Sequence, residues 1–216
     1  MSNQIERTHQ TIEYDAGNSV TIDLPRSHFY ERLELLMSWD VTFSGANGSV
    51  KGLGILDLIE SVEVQFNGNK TPKRTSFGMS HLIDFYQYGT RPVFDQIDPS
   101  TASQQTGEAQ TFVDFLIHPG QYGAMLPSFE FSDLTLTIKW ATADAITDTP
   151  GEVTVNSASV AVGSTERKKR SVPTPNRPLE AILDALSGFK ETERSKSLTV
   201  TGETTVELPK GNTYYS

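Results

Sequence analysis

The clearest pattern in the chain is a run of apolar residues at every second position: Leu33, Leu35, Met37, Trp39, Val41 and Phe43. Between them stand Glu34, Leu36, Ser38, Asp40 and Thr42. Successive strand side chains point to opposite faces, so the run predicts a long strand with one buried face. "SGANGS" then interrupts it with turn residues. Val62, Val64 and Phe66 alternate next and end at Asn67-Gly68, a pair that tolerates positive φ and predicts a tight hairpin. Leu134, Leu136, Ile138 and Trp140 alternate again. Phe129 and Phe131 precede them one residue out of phase, and the slip near Ser132-Asp133 predicts a bulge. Val20, Ile22 and Leu24, "TFVDFLI" at 111–117 and "EVTVNSASVAV" at 152–162 read as further strands. Strands separated by Gly, Pro, Asn and Ser clusters, without regular strand–helix alternation, predict an all-β antiparallel sandwich or barrel.

Two stretches change period. In "SFGMSHLIDFYQYG", Met79, Leu82, Ile83 and Tyr86 fall on one helical face. In "NRPLEAILDALSGF", Leu179, Ile182, Leu183 and Leu186 do the same, with Asn176 as a cap, Pro178 in the first turn and Gly188 as a stop. Before this second helix lies "GSTERKKRSVPTPNRP", polar, basic and proline-rich, the composition of a linker. The expected organisation is a β domain at 1–162, a linker with a short helix (178–187) at 163–195, and a C-terminal strand at 196–216.

The 216 residues allow a sizeable core, and 11 Phe, 7 Tyr and 2 Trp can fill it. The best core candidates are the alternating residues 33–43 and 134–140. A net charge of −9 argues against a protein that binds nucleic acid through its overall charge. The absence of Cys excludes disulfides, thiolate nucleophiles and thiolate metal sites. The opening "MSNQIERTHQ" lacks the apolar stretch of a signal peptide, and no run approaches the length that spans a bilayer.

Catalytic and metal chemistry finds no supporting pattern. His9, His28, His81 and His118 stand apart, without the His-x-His and nearby Glu of a metal-binding jelly roll, so each reads as structural or exposed. "FNGNKT" lacks phosphate-loop spacing. Ser80 and His81 are adjacent on a predicted helix and point in different directions. Asp95 and Asp98 read as part of an acidic turn before Pro99 rather than a catalytic pair. No catalytic, cofactor-binding or metal residue is expected, and no cofactor. The basic run Arg167, Lys168, Lys169, Arg170 is the one charge cluster. It is a candidate contact for a membrane or nucleic acid, against the plainer reading of a solvated linker.

One order of features carries a family resemblance. "IDLPRSHFYERLELLMSWDVTFSG" takes an Asp-Leu-Pro-Arg step into a long strand, and "LGILDLIESVEVQFNGN" follows with a strand ending in Asn-Gly. This resembles the opening of the jelly-roll major capsid proteins of tailless icosahedral viruses, the lineage that includes adenovirus hexon. Most members carry two successive jelly rolls, and the end of this chain repeats its beginning. "TVELPKGNTYYS" echoes "TIDLPRSHFYER", with Leu208-Pro209 over Leu24-Pro25. Internal repetition is the trace of a repeated unit. The tail is therefore expected to be the first strand of a second jelly roll or a strand donated to a neighbour, with chance similarity as the third reading.

The resemblance implies an antiparallel jelly-roll sandwich. It implies a structural major capsid protein, not an enzyme, that forms trimeric pseudo-hexagonal capsomers in an icosahedral shell. Its partners would be copies of itself, neighbouring capsid proteins and an internal lipid membrane, with no specific nucleic-acid recognition and no small-molecule substrate. Its place would be the virion, after synthesis in the host cytoplasm. Segments 86–110 and 141–151 would carry subunit contacts. The alternative function is a carbohydrate-binding, lectin-like β-sandwich module, with Tyr86, Tyr88, Tyr122, Tyr214 and Tyr215 stacking on sugars.

Overall fold

The computed structural model describes residues 4–45, 49–68, 70–89, 92–115, 125–168 and 191–192. The long alternating run forms β3 (Phe29–Phe43), and its odd-numbered apolar residues from Leu33 onward are all buried. The other strands are β1 (Gln4–Glu13), β2 (Ser19–Asp23), β4 (Ile59–Phe66), β5 (Lys70–Thr75), β6 (Gln104–Asp114), β7 (Leu126–Pro127), β8 (Leu134–Trp140), β9 (Val153–Arg167) and β10 (Glu191–Thr192). One α-helix, α1 (Phe77–Tyr88), lies between β5 and β6.

The strands form two sheets. The first has the order β1-β9-β3-β6, with β7 paired to the start of β3. The second has the order β10-β5-β4-β8-β2. Among the described strands, the chain crosses from sheet to sheet at every step except β4 to β5 and β6 to β7. All pairings are antiparallel except β10 with β5, which is parallel. This is an antiparallel jelly-roll sandwich, as expected. The ten candidate core residues on β3 and β8 all enter one core, none more than 4% exposed. Val62, Val64 and Phe66 of β4 join the β8 residues in the second sheet, and Val160 and Val162 of β9 join those of β3 in the first.

The turns follow local chemistry. Asn67 and Gly68 take φ of 51° and 71°, the left-handed region that this pair was expected to supply. The hairpin tip clasps the start of β8. Gly68 N–H donates to Asp133 Oδ1 at 2.9 Å, and Ser132 N–H donates to Asn67 Oδ1 at 2.8 Å. The Gly68 N–H, and after it the Ser132 hydroxyl, which donates to Asp133 Oδ2 at 2.8 Å, hold the Asp133 carboxyl below its usual range. The expected bulge at Ser132-Asp133 is instead a turn. A 3-10 segment at Ser128–Glu130 precedes it and β8 starts afresh at Leu134, which resets the phase.

Two further differences concern extent. β6 starts at Gln104, well before the stretch 111–117, and stops at Asp114. β9 passes the expected boundary at 162 and runs to Arg167, its inward phase continuing through Ser164 and Glu166. β10 falls within 163–195 and sets its backbone beside Lys73 and Arg74. The expected helix at 178–187 and strand at 196–216 lie outside the described residues.

Candidate assembly surfaces

Helix α1 is fixed first by its ends. Ser76 caps it, its Oγ accepting the Met79 N–H at 3.1 Å. Gly89 closes it at φ 66°, its N–H bonded to Phe85 O at 3.0 Å. Its inward side is polar. Ser80 and His81 stand four and three residues before Asp84, one turn away, so both flank it on one side of the helix, and all three are buried.

That face meets β6, the edge of the first sheet. An edge strand carries backbone groups with no ladder partner. Here Ser80 Oγ donates to Phe112 O at 3.0 Å. His81 Nδ1 stands 2.8 Å from Gln110 O, and because a carbonyl only accepts, Nδ1 carries the proton. Asp84 Oδ2 accepts the Phe112 N–H at 2.8 Å and the Thr111 hydroxyl at 2.7 Å. Farther along the edge, Gln110 N–H donates to Val93 O and Asp95 N–H donates to Glu108 O, both at 2.8 Å. The helix and the segment before β6 thus close this edge.

The arrangement reverses the expected face of α1. Met79 and Tyr86 are exposed, Tyr86 by 82%. Leu82 and Ile83 are half-buried, and Phe77 is the large apolar residue fully inside. Leaving three edge groups of β6 buried and unpaired would cost about 1–3 kcal/mol each, more than a few half-buried methyl groups return. Ser80, His81 and Asp84 could have been read as a polar stripe in the sequence. A groove of about 570 Å³ opens beside the helix, walled by Leu53, Ile55, Leu82, Phe85, Phe94 and Ile97.

A second polar cluster occupies one end of the sandwich interior. Beyond Val160 and Val162, the inward positions of β9 are Ser164 and Glu166, and those of β1 are Arg7 and His9. Glu166 is fully buried. Its Oε1 accepts the Ser164 hydroxyl at 2.8 Å and lies 3.4 Å from Arg7 Nε. With its proton committed there, Ser164 Oγ accepts from His9 Nε2–H at 2.8 Å. His28 Nδ1 stands 3.9 Å from Glu166 Oε2, an oxygen without a hydrogen bond among the described residues. Burial pushes the His9 pKa down, with Glu166 opposing and Arg7 assisting. Burial, and then Glu166, pushes the Tyr30 phenol up.

The basic run starts at this end. Arg167 Nε pairs with Glu31 Oε2 at 3.0 Å, so this residue is bound into the sheet rather than presented freely. Lys168 is exposed, and Lys169 and Arg170 lie outside the described residues. Of the sugar-stacking candidates, Tyr86 is exposed and Tyr88 bonds Asp114 through its hydroxyl. Two residues apart on a helix, they point away from each other. Tyr122, Tyr214 and Tyr215 lie outside the described residues.

Other candidate chemistry resolves into structure. Asp98 accepts from Ser100 and Thr101 and organises an exposed turn, with the Ser100 hydroxyl contributing most to a lowered pKa. Asp95 accepts the Glu108 N–H at 2.9 Å. His118 lies outside the described residues. No group of three acidic or histidine side chains suited to a metal ion occurs among the described residues.

The strand order defines the class of fold, and comparison with solved structures bears it out. A crystal structure of the STIV MCP matches with a TM-score of 0.59 and 17% identity, over 76% of this chain and 48% of that one. The atomic structure of Sulfolobus Turreted Icosahedral Virus matches at TM-score 0.59 and 16% identity, over 77% and 46%. PBCV-1 VP54, fitted into a reconstruction of the virophage Sputnik, matches at 0.50 and 15%, over 79% and 44%. These are jelly-roll viral major capsid proteins, and this chain shares their fold. It spans about half the length of the chains that it matches. No family model and no curated protein matches the sequence.

Proposed function

We propose that the chain is a structural subunit of an icosahedral viral shell, whose work is assembly rather than catalysis. The observation that carries this reading is the pair of sheets β1-β9-β3-β6 and β5-β4-β8-β2, in a fold that superposes on viral major capsid proteins at a TM-score of 0.59. Its partners are further copies of the chain and neighbouring capsid proteins, the capsomer is a trimer of pseudo-hexagonal outline, and its location is the virion. Light scattering of the purified protein, followed by electron microscopy, tests this. Trimers or hexagonal arrays are expected, and a monomer at every concentration would sink the reading.

The basic run is assigned a contact with anionic material, an internal membrane or the packaged genome. The contact is assigned to the run Arg167, Lys168, Lys169 and Arg170, and because Arg167 pairs with Glu31 within the sheet it is tested at Lys168, Lys169 and Arg170. Reversing these three to Glu is expected to lower particle yield while the barrel stays folded by circular dichroism. Normal yield would remove the assignment.

A further inference from the structure

We propose that the uncharged outer face of α1 is the surface through which one copy of this chain docks on another. The inference rests on the assembly reading above and adds the place of contact.

Large exposed apolar residues are not scattered over the described surface. They are Leu53, Met79, Phe85, Tyr86, Tyr88 and Val93. Four belong to α1, of which Met79, Phe85 and Tyr86 lie on its outer side while Tyr88 turns to Asp114 of β6, and the other two flank it. Leu53 packs so closely on the helix that its Cδ1 lies 2.5 Å from where a Cβ on Gly78 would stand. Val93 O accepts the N–H of Gln110, the residue whose carbonyl is bound by His81. Contiguous apolar surface of this kind marks an interaction site, whereas single exposed residues do not. Phe, Tyr and Met are also the types enriched at the centres of protein interfaces.

Charge selects the occupant. The chain carries a net charge of −9, so two copies repel over most approaches. Among the twelve residues of α1 the one carboxylate is Asp84, and it is turned inward against β6. The outer face of α1 therefore lets an acidic copy meet its like without burying an acid of either. A basic partner would find no carboxylate of α1 itself to pair with, since Asp84 is bound to β6. The face is also held in advance. Ser80, His81 and Asp84 tie the helix to a sheet edge, so little ordering remains to be done on contact. The groove beside Leu82 and Phe85 offers space for a side chain of the second copy.

The test uses the full chain and two variants. In the first, Phe85→Glu with Tyr86→Glu puts charge on the face at positions that are exposed, so the fold should survive, which circular dichroism and thermal melting check. Light scattering over a concentration series should show self-association weakened at least about 30-fold, the loss expected when an interface anchor is removed. In the second, Met79→Cys introduces a single thiol into a chain that has none. Its reaction with a maleimide should slow several-fold as oligomers form, while a thiol at exposed Thr21 on β2 keeps its rate. Wild-type oligomers that persist in the charged variant would overturn this inference and leave the assembly reading intact. A wild-type chain that never associates would overturn both. Protection of the new thiol in the monomer would show that residues of the same chain cover the face, and would also overturn the inference.

Discussion

The two ends of the sandwich interior follow the same geometry with opposite chemistry. At one end, alternate inward positions hold Trp39, Val41 and Phe43 of β3 and Trp140 of β8, and the strands are held by removal of apolar surface from water. At the other, the same alternation on β1 and β9 points Arg7, His9, Ser164 and Glu166 inward, beside Tyr30. There the strands are held by a chain of hydrogen bonds ending on a buried carboxylate. The apolar end is indifferent to which partner touches which. The polar end works only if every donor finds its acceptor, so it specifies register more than it adds stability.

This contrast can be broken from either side. Trp140→Ala, which empties a fully buried site packed edge-on against Tyr14, should cost about 3–5 kcal/mol in denaturant unfolding. Gly107→Ala should cost about 1–3 kcal/mol, because the new Cβ would stand 2.4 Å from Cζ2 of Trp39 and 2.6 Å from Cβ of Asp95. At the polar end, Glu166→Gln keeps the shape and removes the charge that faces Arg7 and His28. About 1–2 kcal/mol is expected, since Arg7 is partly exposed and can turn to water. A loss as large as that for Trp140 would mean that the cluster is a second core.

The smallest effect is in pH. Burial depresses the His9 pKa in the folded chain. As pH falls, the unfolded chain takes up the proton first, so this contribution is present above about 6.5 and is lost as pH drops through that value toward the depressed one. His9→Gln keeps a donor to Ser164 and cannot titrate. Its melting temperature should therefore fall less than that of the wild type between pH 7.5 and 5.5. Equal slopes would show that His9 does not carry the effect.

The same contrast explains what could be read in advance. β3, β4 and β8 were legible because their inward residues are apolar, and each was found where the alternation put it. β1 alternates from Gln4 to Gln10, but its inward residues there include Arg7 and His9, which hydrophobicity scores as surface. β5, "KTPKRT", was hidden in the same way, although Lys73 and Thr75 are buried. For α1 the position was legible and the orientation was not. The periodicity groups Met79, Leu82, Ile83 and Tyr86 on one face, but the demand of an edge strand for hydrogen bonds leaves no trace in it. Catalytic and metal spacings carry no signal for a helix with its carboxylate inside and Phe85 and Tyr86 outside.

The position of β9 has a consequence for how the chain is made. β1 and β3 have no pairing with each other, because β9 lies between them and bonds to both along its length. It is also the last strand of that sheet to be synthesised. While the ribosome is still short of Val153, β1 has no neighbour in the sheet and β3 has only β6 and β7 on its other side. Completion of the sheet must wait for contacts well over a hundred residues apart, the kind that folds slowly. A nascent chain halted before β9 would thus show long unsatisfied strands, and it is the stage at which a chaperone has most to hold.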